Sequence, residues 1–250
     1  MSDALAKWEP LDRALEGSLA PLRAPGRRPV VLFSGGVDSG LLAWELRHVV
    51  GASLFTVGVP GSEDLKRAGQ VAPLFSVPWV GHALTDGELV DVYRKAAPEL
   101  VAVPVPLRGI YVALAAAFAA APPGTLVCGQ GADELFLGYA HYRGLSAEEA
   151  AKRSSEDLGR LEREDWPRAR RLAERCGREV VAPYLAPEFV QSARRLPTRA
   201  HLPDPVAKPV LRGWAVHRGL PEPVAERPKR AVQFGSGVDR WLRRNRPSLD

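Results

Sequence analysis

The sequence PVVLFSGGVDSG, residues 29–40, contains the signal that decides the fold. A short apolar run ends at Phe33, two glycines follow, and helical periodicity begins at Val37. Two adjacent glycines allow the backbone to turn tightly and to approach a ligand closely. The free amides and the dipole at the start of the helix favour an anion there. We therefore expect a strand, a phosphate-binding loop and a helix, in that order.

The side chains of this loop fit a nucleotide phosphate. The loop is not a Walker A loop, because the GxxxxGK[ST] pattern is absent. Ser34 and Ser39 add hydroxyl donors, and the Asp38 carboxylate fits a phosphate loop if Mg²⁺ bridges it to phosphate oxygens. The alternative is a capped tight turn in which Asp38 favours the helix N-terminus.

Strand and helix signals alternate through the first half of the chain. This alternation predicts a mostly parallel sheet covered on both faces. The predicted strands are residues 29–33, 52–59, 77–83 and 125–128, and the predicted helices are residues 37–50, 63–74, 87–100 and 107–121.

The second half of the chain changes character. From residue 146 to residue 192 charges are dense, helical periods dominate and strand signals nearly vanish. We expect an N-terminal helical segment over residues 1–28, a nucleotide-binding α/β core over residues 29–145, and a helical extension over residues 146–250.

Composition limits the protein class. The chain has 250 residues with 46% hydrophobic and 25% charged residues, which is ordinary for a globular protein. Its longest apolar stretch has 13 residues, which is too short to span a bilayer, and no signal peptide is recognisable. Two distant cysteines suit a cytoplasmic protein. The net charge of +5 favours polyanionic ligands in general.

A second glycine-rich segment, GQGADELFLGY at residues 129–139, follows the fourth predicted strand. Ligands of open parallel sheets bind at the carboxyl ends of the strands, where both glycine-rich segments are expected. Asp133 and Glu134 are adjacent acids at a predicted helix start, and one of them could hold Mg²⁺ together with Asp38. Two capping acids are the simpler alternative.

These motifs carry a family resemblance. SGGVDS at residues 34–39 resembles the pyrophosphate loop (PP-loop) of the ATP-pyrophosphatase superfamily, and GQGADELFLGY resembles a segment of the synthetase domain of the asparagine synthetases. Residues 55–72, 179–185 and 227–238 resemble three further segments of that domain, in the form found in archaeal and asparagine-synthetase-domain-containing homologues. The resemblance implies an α/β ATP-pyrophosphatase fold, a parallel-sheet three-layer sandwich with a helical C-terminal extension.

The resemblance also implies an activity. ATP and Mg²⁺ would convert the side-chain carboxylate of aspartate into a β-aspartyl adenylate with release of pyrophosphate, and ammonia would then give asparagine and AMP. The resemblance implies that pyrophosphate is bound by Ser34, Gly35, Gly36, Asp38 and Ser39, and that the adenosine lies against Leu32, Val57, Cys128 and Gly129, with Gln130 beside them. The implied Mg²⁺ ligands are Asp38 and Asp133. The implied catalytic residues are Lys229, Arg230, Asp133 and Glu134.

The sequence departs from the family pattern in three ways. The glutaminase domain is missing, so we expect the chain to use free ammonia, another amine or a separate glutaminase subunit. Gln130 stands where asparagine-forming relatives carry a Glu, and a neutral amide cannot act as a general base. The basic segment is two residues longer than in the bacterial enzyme, so the key cation could be Lys229 or Arg230.

Three other functions remain open at this stage. The chain could adenylate a different carboxylic acid or use a different amine, as Gln130 suggests. It could be a non-catalytic nucleotide-binding regulatory protein, although the acids and the basic pair argue against that. A nucleic-acid modifier is disfavoured, because the sequence contains no recognisable nucleic-acid-binding signature.

Overall fold

The computed structural model describes residues 8–203, 206–226 and 232–245, apart from the side chains of residues 232 and 233. Within these residues the chain forms a five-stranded, fully parallel sheet with strand order β3-β2-β1-β4-β5. The strands are β1 (Pro29–Leu32), β2 (Ser53–Gly58), β3 (Trp79–Ala83), β4 (Thr125–Val127) and β5 (Val180–Val181).

One helix precedes the first strand, and the others connect the strands or follow the last of them. They are α1 (Glu9–Leu19), α2 (Val37–Leu46), α3 (Glu63–Val71), α4 (Asp86–Leu100), α5 (Arg108–Ala120), α6 (Ala132–Leu135), α7 (Ala147–Arg160), α8 (Trp166–Arg175), α9 (Pro187–Arg194), α10 (Thr198–His201), α11 (Pro209–His217), α12 (Glu222–Ala225), α13 (Val232–Gly235) and α14 (Val238–Asn245). One π-helical turn, Leu161–Asp165, joins α7 to α8.

The sheet separates two apolar cores, as a three-layer sandwich requires. Successive side chains of a strand point to opposite faces, so neighbouring residues enter different cores. Helices α1, α2, α9 and α11 contribute to the core on one face, and helices α4, α5, α8 and α14 to the core on the other. The strand residues on the first face include Val31, Leu54 and Val127, and those on the second include Val30, Phe55 and Leu126.

The sequence-based fold class is confirmed, and two details differ. Helix α2 ends at Leu46 rather than residue 50, and the Arg47 guanidinium binds the Trp44 carbonyl, an acceptor that a continuing helix would use for its own ladder. The predicted helical half contains β5, which pairs with β4 through Leu126↔Val180 and Val127↔Val181. In the described part of the chain, no helix is long and apolar enough to cross a membrane.

Candidate functional site

The strand order creates a crevice between the ends of β1 and β4. Strand β2 lies on one side of β1 and β4 on the other, so the chain leaves these two neighbouring strands in opposite directions. Such a reversal is where open parallel sheets bind their ligands. The two glycine-rich segments meet here: a Cβ added at Gly129 would lie 3.1 Å from the Asp38 Cβ, so a small residue is needed for this approach.

The first loop is closed by hydrogen bonds among its own serines. The Ser34 amide donates to the Ser39 hydroxyl at 3.2 Å, and the two hydroxyl oxygens lie 3.3 Å apart. Gly35 has a φ of 71°, a left-handed conformation that favours glycine. Gly36 is the N-cap of α2, and this end of the helix receives no side-chain cap. The arrangement leaves the first-turn amides of α2 available to an anion.

The two predicted Mg²⁺ ligands converge on one lysine. The Lys208 ammonium lies 2.6 Å from Oδ1 of Asp38 and 2.7 Å from Oδ1 of Asp133. The side chain of Lys208 has no exposed surface, whereas those of Asp38 and Asp133 are about one-fifth exposed. Burial lowers the pKa of the Lys208 amine, and the neighbouring Asp38 carboxylate acts in the opposite direction. The site therefore pairs one buried cation with two partly exposed anions.

Gly138 makes the contact between Lys208 and Asp133 possible. A Cβ at this position would lie 1.9 Å from Oδ1 of Asp133 and 2.1 Å from Cε of Lys208. The backbone of Lys208 is itself in the left-handed region, with a φ of 60°. Such conformations are uncommon outside glycine, asparagine and aspartate, so the surrounding structure holds the residue in place.

Glu134 is buried, and its carboxylate is near enough to Lys208 for the two charges to interact. It is 3% exposed, and the Tyr139 hydroxyl donates to Oε1 of Glu134 at 2.6 Å. Burial raises the pKa of Glu134, while the Tyr139 hydrogen bond acts to lower it. Its backbone carbonyl accepts a hydrogen bond from Ser154 in α7. These contacts tie the second glycine-rich segment to the helical half, and a catalytic role of Glu134 stays a prediction.

The residues predicted to line the adenosine lie at the carboxyl ends of the central strands. Leu32 is the last residue of β1, Val57 is near the end of β2, and Cys128 follows β4. All three pack in or against the core on the same face of the sheet. Burial raises the pKa of Cys128 to about 12, so this thiol is not a nucleophile at neutral pH. Gln130 is half-buried beside them.

Two site residues were missed by the sequence reasoning, and two predicted ones fall outside the part of the chain that the structure describes. Lys208 and Tyr184 both contact Asp38, since the Tyr184 hydroxyl donates to the Asp38 carbonyl at 2.9 Å. Tyr184 could have been found from the sequence, because it lies in residues 179–185 (EVVAPYL), one of the segments that carry the family resemblance. Lys208 lies in no recognisable motif. The predicted cations Lys229 and Arg230 lie outside the described residues.

The side chains present fit a magnesium ion shared with a nucleotide. Mg²⁺ is commonly bound by one or two carboxylates together with substrate phosphates, rather than by an all-protein cage. Asp38 and Asp133 supply two carboxylates, one from each glycine-rich segment. Among the residues that the structure describes, no group of three or more His, Cys, Asp and Glu side chains could hold a metal alone.

Comparisons with known proteins find one family of related sequences. The family model described as asparagine synthase matches residues 11–170 and 145–248. "Putative asparagine synthetase 1 (glutamine-hydrolyzing)" of Methanocaldococcus jannaschii is 28% identical over 94% of this chain and 50% of its own length. Asparagine synthetases (glutamine-hydrolyzing) of Triphysaria versicolor and Arabidopsis thaliana are 26% and 27% identical over 83% of this chain and 39% of their lengths. The chain thus spans half or less of these relatives.

Proposed function

The chain belongs to the asparagine synthase family, and from this premise we propose that it is an ATP-dependent amide ligase that forms asparagine from aspartate and ammonia. The single observation that carries the proposal is the convergence of Asp38 and Asp133, which follow different strands, at the end of a phosphate-binding loop. If Asp38 only capped a tight turn, nothing would require the Asp133 carboxylate, from a distant loop, to share the same lysine.

The proposed chemistry begins with an activation step. A carboxylate is a poor acyl donor, because its oxygen is a poor leaving group. An oxygen of the aspartate β-carboxylate attacks the α-phosphorus of ATP, pyrophosphate leaves, and the product is an acyl adenylate, a mixed anhydride. Ammonia then attacks the acyl carbon, AMP leaves, and asparagine is the product.

The protein's task in the first step is to stabilise the departing pyrophosphate. The first-turn amides of α2 and the hydroxyls of Ser34 and Ser39 would donate to its oxygens, with Gly35 and Gly36 allowing the close approach. Asp38 and Asp133 would hold Mg²⁺, which neutralises phosphate charge when bound. Lys208, at the same carboxylates, adds a second positive charge to the site.

The adenosine would lie against Leu32, Val57, Cys128 and Gly129, at the ends of the central strands. Lys229 or Arg230 would stabilise charge on the phosphates during adenylation, as the family resemblance implies. Together these groups would place the acid in line with the α-phosphorus, which is the main contribution a protein can make to phosphoryl and nucleotidyl transfer.

The amine step depends on the nucleophile and on a proton acceptor. Gln130 carries a neutral amide and cannot act as the general base that takes a proton from the attacking amine. We propose that ammonia enters as the free base, from solution or from a separate glutaminase subunit. The same residue supports a second candidate, an adenylating ligase that acts on another carboxylic acid or amine.

One assay separates these candidates. The purified chain is incubated with ATP, Mg²⁺ and ammonium, with aspartate or another carboxylic acid, and pyrophosphate and AMP are measured. Aspartate-dependent release of both is expected, and Asp133→Asn should reduce it by about a hundredfold or more, in the range seen when one electrostatic contact is removed. Asp91→Asn, at an exposed position of α4, is the matched control and should leave the rate unchanged. Release of ADP and phosphate would exclude the mechanism, and turnover of another acid alone would favour the second candidate.

A further inference from the structure

We propose that Lys208 occupies the metal position while nucleotide is absent, so that free Mg²⁺ is excluded and the ion enters only together with the phosphates of ATP. This inference rests on the proposed function, because it assigns the order in which that site fills. It makes Lys208 a positioning residue of the site.

Lys208 lies between two carboxylates that come from different loops. One nitrogen lies within 2.7 Å of a carboxylate oxygen from each loop. A divalent ion that bound both oxygens would need the space that the ammonium fills, and it would also meet the repulsion of a like charge. The carboxylates cannot serve both cations in the observed arrangement.

The Lys208 ammonium cannot move into solvent when a metal ion approaches. Its side chain is fully buried, and the left-handed backbone at the start of α11 fixes the direction from which it reaches the site. The next turn of α11 is held against the same loop, because Arg212 donates to the Ala207 carbonyl at 2.8 Å. Displacing the ammonium by free Mg²⁺ would leave a buried charge without its partners, which is strongly unfavourable.

The two carboxylates already face two cations. Besides Lys208, the Arg212 guanidinium is near enough to Asp38 for the two charges to interact, so free Mg²⁺ finds no vacant pair of ligands and meets two like charges. The phosphates of ATP change this balance, since they offer the ammonium new anionic oxygens and bring their own bound metal. Mg²⁺ and Lys208 can then share the enlarged set of anions.

The test measures metal binding without turnover. Mn²⁺, a paramagnetic substitute for Mg²⁺, is titrated into the nucleotide-free chain and followed by electron paramagnetic resonance. Lys208→Met should bind Mn²⁺ at this site at least about tenfold more tightly than the wild-type chain, within the usual range of coupling between two sites. Lys152→Met, at an exposed position of α7, removes the same charge and should not create a site. Adding Asp133→Asn to Lys208→Met should abolish the gain.

Two results would overturn the inference. One is Mn²⁺ binding by the nucleotide-free wild-type chain that is as tight as that of Lys208→Met and that Asp133→Asn removes; the other is a folded Lys208→Met variant that gains no Mn²⁺ site. If Lys208→Met does not fold alone, circular dichroism replaces resonance: recovery of the folded signal on adding Mn²⁺ supports the proposal, and no recovery contradicts it. None of these measurements needs ATP or aspartate, so failure of the proposed ligase activity would be seen separately.

Discussion

The sharpest prediction from the site concerns Gly138→Ala. One added methyl group would lie 1.9 Å from Oδ1 of Asp133 and 2.1 Å from Cε of Lys208, far inside van der Waals contact. The φ of Gly138 is not in the left-handed region, so the effect comes from the clash alone. Because Lys208 is fully buried, it cannot move aside into solvent.

The expected loss in the free energy of unfolding of Gly138→Ala has two contributions. Inserting a methyl group into a packed interior costs about 1–3 kcal/mol, and breaking a buried ion pair costs about 3–5 kcal/mol when the break is complete. Partial relief through the more exposed Asp133 places the expected loss near 2–4 kcal/mol. For a chain of this length, that loss corresponds to a fall in melting temperature of roughly 5–15 °C.

Urea unfolding followed by circular dichroism measures this loss directly. Gly87→Ala is the matched control, because a Cβ there would meet nothing within 4 Å, and it should be neutral or slightly stabilising. In a background that carries Asp133→Ala, the cost of Gly138→Ala should fall by about 1 kcal/mol, since one of the two clashing atoms is gone. A Gly138→Ala variant within about 0.5 kcal/mol of wild type would refute the reasoning.

Three further predictions test other contacts. Tyr184→Phe should lose about 1 kcal/mol of unfolding free energy, because it removes a buried hydrogen bond to the Asp38 carbonyl; an unchanged urea midpoint would contradict this. Hydrogen bonds from the backbone amide and the hydroxyl of Thr85, the N-cap residue of α4, lower the pKa of Glu88 to about 2. The stability that Glu88 adds is therefore complete above its ordinary pKa of 4.5 and is lost as the pH falls towards 2. Melting curves of Glu88→Gln should depend less on pH in that window than those of the wild type. Cys128, buried and with its pKa raised to about 12, should react with a thiol reagent only after unfolding, whereas the half-buried Cys176 should react in the folded chain, and mass spectrometry of the labelled peptides distinguishes the two.

Local patterns made most of the fold predictable. Apolar runs that end in glycine mark β1 and β4, and the alternation with helices fixes a parallel sheet. The short β5 was not predictable, because its two residues carry almost no periodicity and are defined by pairing with β4. Helix α2 was predicted too long, because helical periodicity in the sequence continues past Leu46. In the structure the Arg47 side chain binds the Trp44 carbonyl, which a continuing helix would use for its own hydrogen bonds.

The site was predictable only where a motif carries it. Asp38 and Asp133 follow glycines after strands, and the topology of a parallel sheet brings such positions to one edge. Lys208 has no such context, since it lies in a loop between short helices, and nothing near it in sequence distinguishes it from an exposed lysine. Its role appears only when residues that are 170 positions apart are in contact.

That separation has a consequence for how the protein is made. A ribosome releases the two acidic loops long before residue 208, so the growing chain carries two carboxylates whose counter-charge has not yet been synthesised. Contacts of this length are also the slowest to form, because a large loop must close first. We therefore expect the crevice to reach its mature arrangement late, together with the packing of α11 against α2 in the first core.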